Sequence, residues 1–545
     1  MNCSITLGQL DFTVGDLAGN VEKMLAVCAA SPAPLVVFPE LAITGYPPRD
    51  LLAVRSFVDA VDAAVLDLVA RLPAGKTVLF GAPRRRGGPG RALVNAALVA
   101  RRGELVAEIH KALLPTYDVF DEQRYFEPAP SHHPRTFLLE DGTRVGVVIC
   151  EDMWNDRMLW PERRYDRDPV AEAIEQGAEL LINLSASPFV QGKWDTRRKL
   201  VGHAARRWGV PIVYVNAVGG NDGLLFDGQS LVVAAHGAPV AEAPLFEEAT
   251  PTIDLTTRTA LPERDPLHVL HLALVTGVRD YARKTGMKRW VLGLSGGIDS
   301  ALVAAIGCLA LGAENGTALA MPSRYSSDHS VEDARVLAEA LGLRFEVIPI
   351  EPAHAAYEHM LSARLGPEPA GDVTWENVQA RVRGATLMAW ANRENGLLLT
   401  TGNKSECSVG YCTLYGDMCG GLAVIADLWK HEVYALSRWL DDHVVAGAIP
   451  KSTLEKPPSA ELRPGQRDDQ SLPPYDVLDP ILEALVEEEL GVEGAAQKTG
   501  QPVELVRSLA RKVYLAEYKR QQFAPTLKVS PRAWVGRDYP IAHGF

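Results

Sequence analysis

The stretch VLGLSGGIDS at residues 291–300 constrains the fold of this chain more than any other. The apolar residues before it predict a strand, and the Ala/Leu-rich run that follows predicts a helix. Without a Cβ at Gly296 or Gly297, backbone N–H groups can close on an anion, and the helix N-terminus adds the positive end of its dipole. Such a turn can also be purely structural. A phosphate site is favoured by the flanking polar side chains of Ser295, Asp299 and Ser300.

Size and charge limit the classes of protein to consider. A chain of 545 residues predicts two to four domains. A net charge of −13 argues against a nucleic-acid partner, which would favour a basic surface. Seven cysteines, an odd number, do not suggest a disulfide framework. The N-terminus resembles no signal peptide, and the most apolar window is interrupted by Asp299 and glycines, so we expect a cytoplasmic protein without a membrane span.

The second half of the chain alternates strands and helices around the glycine turn. Apolar strands are predicted at residues 317–321, 344–350 and 397–401, with helices at 267–285, 328–341 and 375–393. This rhythm predicts a doubly wound parallel sheet, whose ligands lie at the carboxyl ends of the strands.

In the first half, three chemically useful residues follow predicted strands: Glu40, Lys111 and Cys150. A thiol, a base and a cation are what acyl transfer through a thioester requires. Taken singly, each has a plainer interpretation, because a lone cysteine is more often a small buried hydrophobe and a lone Lys or Glu is usually solvated. Sequence spacing alone does not bring the three together.

The seam between the halves is acidic and interrupted by prolines at residues 245–266, after a predicted hairpin at 227–244. We place the boundary there, near residue 265, and assign residues 1–260 to the first domain and 261–545 to the second.

Four motifs of the first half, in chain order, resemble the nitrilase/amidase superfamily: FPE at 38–40, HKALLPTYDVFDEQRYF from 110, ICEDMW from 149 and NLSASPF from 183. The resemblance implies an α-β-β-α sandwich in which Glu40 is the general base, Lys111 stabilises the tetrahedral intermediate and Cys150 is the nucleophile. In glutaminase members it further implies that glutamine is held by Tyr117, Ser187 and Lys193. A supporting acid falls on Glu122, or on the neighbouring Asp121.

The second half resembles the NAD synthetase family, through SGGIDS (295–300), TGNKSE (401–406), YCTLYGD (411–417) and PPSAELRPGQ (457–466). SGGIDS is similar to the loop of the ATP pyrophosphatases, which implies an adenine nucleotide α hydrolase-like fold. The implied ATP-binding residues are Gly293, Leu294, Ser295, Gly296, Gly297, Ile298, Asp299, Ser300, Thr401, Lys430 and Ser459. Those implied for deamido-NAD, the nicotinic acid dinucleotide, are Asn377, Arg381, Glu406, Asp417 and Lys528. The implied Mg²⁺ ligands are Asp299 and Glu406.

The whole chain therefore resembles the glutamine-dependent members of the NAD synthetase family. The resemblance implies that ammonia released from glutamine attacks an acyl-adenylate of deamido-NAD, giving NAD⁺, AMP and pyrophosphate, in a homo-oligomer such as a dimer or octamer. Other glutaminase designs fit poorly, since an N-terminal nucleophile needs Cys at position 2, where Asn2 stands. Two rivals stay open: a carbon–nitrogen hydrolase with a regulatory nucleotide module, and an amidotransferase for a different acid.

Overall fold

In the computed structural model the chain forms two compact units, Met1–Asp265 and Pro266–Phe545. The structure describes residues 4–160, 162, 164–255, 261–369, 371–459, 461–466, 470, 472–537 and 539–542. Residue 260, the predicted end of the first domain, lies outside the described residues.

The first unit contains two six-stranded sheets and a two-stranded ribbon. Its helices are α1 (Leu17–Ala30), α2 (Arg55–Arg71), α3 (Pro169–Glu175) and α4 (Lys193–Trp208). Its strands are β1 (Ser4–Leu7), β2 (Leu35–Val37), β3 (Thr77–Arg85), β4 (Leu93–Arg101), β5 (Glu104–His110), β6 (Thr136–Leu138), β7 (Arg144–Ile149), β8 (Leu180–Ser185), β9 (Ile212–Asn216), β10 (Val218–Asn221), β11 (Leu224–Asp227), β12 (Leu231–Val233), β13 (Pro239–Glu242) and β14 (Thr252–Asp254). The sheet orders are β14-β1-β2-β3-β4-β5 and β13-β12-β9-β8-β7-β6, with β10-β11 as the ribbon.

Apolar clusters fill the three spaces between the layers of this unit. Along β2, Leu35 and Val37 join the cluster between the two sheets, while Val36 joins the cluster under α1 and α2. This alternation is the two-residue period of a strand with both faces covered. A further cluster packs α3 and α4 on the outer face of the second sheet. The predicted α-β-β-α sandwich is confirmed.

The second unit is built on one parallel sheet with the order β17-β16-β15-β18-β19. Its strands are β15 (Arg289–Gly293), β16 (Gly316–Ala320), β17 (Arg344–Val347), β18 (Gly396–Thr400) and β19 (Leu422–Ala423). Its helices are α5 (Pro266–Thr285), α6 (Ile298–Leu311), α7 (Asp328–Leu341), α8 (Glu351–Leu365), α9 (Thr374–Glu394), α10 (Lys404–Val409), α11 (Lys430–His443), α12 (Lys451–Glu455), α13 (Tyr475–Val486), α14 (Val492–Thr499), α15 (Val503–Leu515) and α16 (Glu517–Arg520). The predicted doubly wound parallel sheet is confirmed.

The strand order places the glycine turn at the centre of this sheet. The chain leaves β15 towards β16 and β17 on one side and later returns to β18 on the other. A crevice opens at such a switch point, outside the carboxyl ends of the two central strands. The SGGIDS turn follows β15 and TGNKSE follows β18, so both motifs end at this crevice. Within the described part of the chain, no helix is both long enough and apolar enough to cross a membrane.

Candidate active sites

Lys111, at the end of β5, contacts two buried carboxylates in the first unit. Its Nζ lies 2.7 Å from Oε1 of Glu40 and 2.8 Å from Oε1 of Glu122. Burial alone would lower the pKa of Lys111, but the charges of Glu122 and Glu40 outweigh it and raise that pKa. Lys111 is therefore a permanent cation between two acids.

Glu122 is the acid that completes this cluster, whereas Asp121 is exposed at the surface. The hydroxyl of Tyr46 donates to Oε1 of Glu122 at 3.0 Å. Burial raises the pKa of Glu122 to about 7, a rise that Lys111 opposes and Glu40 reinforces. Of the two acids that the sequence left open, the structure brings Glu122 to Lys111.

Two further groups hold Glu40. The side-chain amide of Asn95, on β4, donates to Oε1 at 2.7 Å, and the backbone N–H of Ala186 donates to Oε2 at 3.1 Å. Sequence reasoning missed Asn95, although a lone polar residue inside an otherwise apolar strand is a signal that could have found it.

Cys150 directly follows β7 and adopts a left-handed backbone conformation, with φ of +44°. Its N–H donates to Oδ1 of Asn183 at 3.0 Å, and its side chain is buried. Burial, reinforced by the charge of Glu40, raises the pKa of the thiol, while Lys111 lowers it. The thiol is thus protonated at rest, and a nearby base must accept its proton before the sulfur can attack.

The next residue after Cys150 is another buried carboxylate, Glu151, which sequence reasoning did not assign. The hydroxyl of Tyr117 lies 3.0 Å from Oε1 and 2.9 Å from Oε2 of Glu151. Burial raises the pKa of Glu151, against the opposing effects of Lys111, Tyr117, Tyr165 and Lys193. Tyr117 and Lys193, both predicted glutamine contacts, therefore share one electrostatic environment with this acid.

Ser187, the third predicted glutamine contact, lies just after β8. It is buried, and its backbone N–H donates to Oδ1 of Asn216 at 2.9 Å. The ammonium of Lys193 donates to the carbonyl of Pro188 at 3.0 Å, which keeps it near this turn.

In the second unit, hydrogen bonds of its own hydroxyl groups stabilise the SGGIDS turn. Oγ of Ser300 lies 3.1 Å from Oγ of Ser295 and accepts the N–H of Ser295 at 3.2 Å. Gly296 has φ of +76°, and a Cβ there would lie 2.3 Å from the carbonyl oxygen of Ser330. Only glycine fits this backbone, which packs against the N-terminal turn of α7.

Asp299, Lys430 and Glu406 meet at the carboxyl ends of β15 and β18. The Lys430 ammonium is hydrogen-bonded to Asp299 and lies 3.7 Å from Oε1 of Glu406. Burial would lower the pKa of Lys430, but the charges of Asp299 and Glu406 raise it. Asn403 links the two acids, since its amide donates to Asp299 at 2.9 Å and its oxygen accepts the N–H of Glu406 at 3.0 Å.

The donor set fits the predicted Mg²⁺. The carboxylates of Asp299 and Glu406 both lie near the Lys430 ammonium, so the two acids are close to one another. Carboxylate oxygens combined with phosphate oxygens are the ligands that Mg²⁺ prefers. No group of three or more acidic, His or Cys side chains among the described residues could hold a metal without help from a substrate.

A cavity of about 490 Å³ opens beside these residues. It is lined by most of the predicted nucleotide contacts: Gly293, Leu294, Ser295, Gly297, Ile298, Asp299, Ser300, Asn377, Thr401, Glu406, Asp417, Lys430 and Ser459. Gly296, Arg381 and Lys528 are not among the lining residues. Lys528 is buried elsewhere, where its ammonium donates to the carbonyls of Ser530 at 2.8 Å and Pro531 at 3.3 Å.

Arg383, two residues after the predicted Arg381, does line the cavity. Its Nε donates to the carbonyl of Met321 at 3.0 Å, whereas Arg381 donates to the carbonyl of Leu414 at 3.3 Å. Burial lowers the pKa of Arg383 to about 10, and the charges of Glu461 and Asp417 partly oppose that effect. Of these two arginines, only Arg383 lines the cavity.

Both halves of the chain match family models. Residues 4–263 match the carbon-nitrogen hydrolase model and residues 270–523 match the NAD synthase model. The two matches fall within the two structural units.

Relatives of the full length share both halves. The chain is 45% identical to the glutamine-dependent NAD(+) synthetase of Synechocystis, with 99% of each chain covered. It is 41% identical to that of Xanthomonas campestris, over 99% of this chain and 97% of the relative. Among solved structures, the glutamine-dependent NAD+ synthetase from Acinetobacter baumannii, in complex with ADP, matches with a TM-score of 0.77 at 35% identity, covering 99% of this chain and 98% of that one.

Proposed function

The chain belongs to the family of glutamine-dependent NAD(+) synthetases, and we propose how its residues divide the reaction between two sites. The enzyme amidates deamido-NAD to NAD⁺ with ATP and the amide nitrogen of glutamine, and it releases AMP, pyrophosphate and glutamate. One observation supports this division. The first unit holds a buried thiol, ammonium and carboxylates, while the second holds a nucleotide-sized cavity beside the SGGIDS turn.

In the first unit, Cys150 is the nucleophile that attacks the side-chain carbonyl of glutamine. The Sγ–C bond forms as the thiol proton passes to Glu40, and the Lys111 ammonium stabilises the oxyanion. Glu40 then returns the proton to the leaving nitrogen, so that ammonia departs and a thioester is left. Water activated by Glu40 hydrolyses the thioester to glutamate. The raised pKa of the thiol supports this sequence, because proton removal has to accompany attack.

Glutamine is held at its amino-acid end by the environment around Glu151. The buried carboxylate is suited to the α-ammonium of the substrate, and Lys193 to its α-carboxylate. Tyr117 orients Glu151, and Ser187 lies at the adjoining turn. Opposite charges on the two sides match the zwitterionic end of an amino acid.

In the second unit, ATP occupies the cavity with its phosphates beside the SGGIDS turn, at the N-terminus of α6. Asp299 and Glu406 would hold Mg²⁺ between them together with phosphate oxygens, and the bound ion would neutralise phosphate charge. Lys430 contributes a permanent positive charge at the same place. Thr401 and Ser459 line the nucleotide side of the cavity.

Deamido-NAD occupies the remaining space, bordered by Asn377, Asp417 and Arg383. Its carboxylate oxygen bonds to the α-phosphorus of ATP as the bond to pyrophosphate breaks. Ammonia then attacks the acyl carbon, AMP leaves, and the nitrogen loses one proton to give the amide of NAD⁺. Arg383 supplies a cation for the phosphates of the dinucleotide.

We further infer a homo-oligomer in the cytoplasm, with magnesium as the metal. The family resemblance supports the oligomer, dimer or octamer, and the described cysteines, which are free thiols, support a reducing compartment. Light scattering behind size-exclusion chromatography measures the assembly directly.

One incubation tests the whole proposal. Purified protein is given ATP, Mg²⁺, deamido-NAD and glutamine labelled with ¹⁵N in its amide, and the products are weighed by mass spectrometry. We expect NAD⁺ one mass unit heavier and pyrophosphate release that depends on the dinucleotide. Hydrolysis of glutamine without pyrophosphate release would instead favour a hydrolase with a regulatory nucleotide module. Release that depends on another acid would favour a different amidotransferase.

A further inference from the structure

Asp152, two residues after Cys150, contacts the backbone beside two of the proposed catalytic residues. Its Oδ1 accepts the N–H groups of Ala112 at 3.0 Å and Leu113 at 2.8 Å, the two residues after Lys111. Its Oδ2 accepts the N–H of Ile149, the residue before Cys150, at 3.1 Å. We propose that Asp152 is a positioning residue of the glutaminase site, which fixes Lys111 relative to Cys150. This inference rests on the proposed function of that site.

The topology explains why a direct link between the segments of Lys111 and Cys150 is needed. Lys111 follows β5, the edge strand of the first sheet, whereas Cys150 follows β7 of the second sheet. The two sheets meet through apolar side chains, which pack without direction and set no fine register between strand ends. The three hydrogen bonds of Asp152 are directional, and they join the two strand ends through one side chain.

The carboxylate of Asp152 is buried away from solvent. Asp152 is 1% exposed, and its partner Arg135 is 0% exposed, with Nη1 at 3.5 Å from Oδ2. Arg135 also donates through Nε to Glu172 at 2.6 Å. A buried ion pair contributes little net stability compared with packed apolar side chains of the same volume. We therefore infer that the Asp152–Arg135 pair serves to position the neighbouring residues, Lys111 and Cys150.

An amide cannot replace this carboxylate. Each oxygen of Asp152 accepts at least one backbone N–H, but an asparagine has a single acceptor oxygen and an NH₂ group. In Asp152→Asn, one backbone N–H would face a donor, and either the end of β7 before Cys150 or the segment after Lys111 would move. A misplacement of about 1 Å can cost about 100-fold in rate.

The test compares full-length Asp152→Asn with the wild type and with Asp156→Asn. Asp156 is a matched control, since it is also buried in this segment but accepts from the N–H of Met158 at 2.8 Å and from Arg207 at 3.0 Å. For Asp152→Asn we expect kcat of glutamine hydrolysis to fall about 100-fold, with KM within about threefold because the glutamine contacts are untouched. Ammonia-dependent NAD⁺ synthesis, measured on the same sample, should stay within about twofold.

A second measurement reports the position of Lys111 relative to Cys150 independently of enzyme activity. Alkylation of Cys150 by iodoacetamide, read as modified peptide by mass spectrometry, depends on the thiolate fraction, which the Lys111 ammonium increases. In Asp152→Asn the pH profile of this alkylation should move to higher pH, while Asp156→Asn should follow the wild type.

Should Asp152→Asn fail to fold, Asp152→Glu decides. It keeps the charge and both acceptors but displaces them by one methylene, so kcat should still fall about tenfold or more with the alkylation profile shifted. Glutamine hydrolysis within about threefold of the wild type, an unshifted alkylation profile, or equal losses in the Asp152 and Asp156 variants would each overturn the inference. A wild-type protein without any glutaminase activity would instead refute the proposed function.

Discussion

Glu122→Gln isolates the electrostatics of the glutaminase site in a single substitution. Glutamine keeps an oxygen that accepts the hydrogen bonds from Lys111 at 2.8 Å and Tyr46 at 3.0 Å, but it carries no charge. Burial raises the pKa of Glu122 from 4.5 to about 7. At about 1.4 kcal/mol per pKa unit, the difference corresponds to about 3 kcal/mol of folding free energy.

The sign of the effect follows from the direction of the shift. Because the folded-state pKa of Glu122 lies above its unfolded value, its contribution to stability is fully present below about pH 4.5 and is lost as the pH rises through about 7. The glutamine variant has no such titration. Its free energy of unfolding, relative to the wild type, should therefore rise by about 3 kcal/mol between pH 4.5 and pH 8.

Hydrogen exchange measures this locally. Peptides covering β4 and β5 are compared between the variant and the wild type at each pH, so that the chemical exchange rate cancels. Asp121→Asn, a neighbouring exposed carboxylate, is the control and should change stability by less than about 0.5 kcal/mol at any pH. A Glu122→Gln profile parallel to the wild type, or an equal effect of Asp121→Asn, would refute the assignment of a buried titrating acid to Glu122.

Three further tests address the second unit. Arg383→Ala should raise KM for deamido-NAD about tenfold or more, whereas Arg381→Ala should stay close to the wild type, because only Arg383 lines the cavity. Steady-state kinetics compares the two variants. Equal effects would contradict the assignment of Arg383 to the dinucleotide site. Gly296→Ala forces a Cβ within 2.3 Å of the Ser330 carbonyl, so ATP binding measured by calorimetry should weaken at least about tenfold, and unchanged binding would count against the turn as the phosphate site. Asp299→Asn should abolish NAD⁺ synthesis from either nitrogen source while glutamine hydrolysis continues, as coupled assays of NAD⁺ and glutamate would record; continued synthesis would remove this carboxylate from the site.

The architecture was predictable from the sequence because its strands are apolar on both faces and end in polar residues. The runs LVV before Glu40 and RVGVVI before Cys150 are strands in the structure, as predicted. The sequence also places the proposed catalytic side chains directly after predicted strands. The distances between them depend on how two separate sheets pack, and no local pattern encodes that packing.

The residues that sequence reasoning missed or left open depend on side-chain direction. Glu122 and Asp121 are adjacent on one turn, yet only one points into the protein. On α9 the lining positions 376, 377, 380, 383, 384 and 387 follow helical spacing, with Asn377 at the edge of that stripe. A step of four residues from Asn377 therefore leads to Arg381, off the cavity, and not to Arg383.

The central claim is that ammonia is made at Cys150 and used at a separate site that binds ATP. The most direct measurement is NAD⁺ formation by Cys150→Ala with glutamine or with ammonium chloride as the nitrogen source, at equal ATP, Mg²⁺ and deamido-NAD. We expect synthesis from glutamine to be lost and synthesis from ammonium to continue at a rate close to that of the wild type. Loss of both activities in a folded variant, or retention of both, would contradict it.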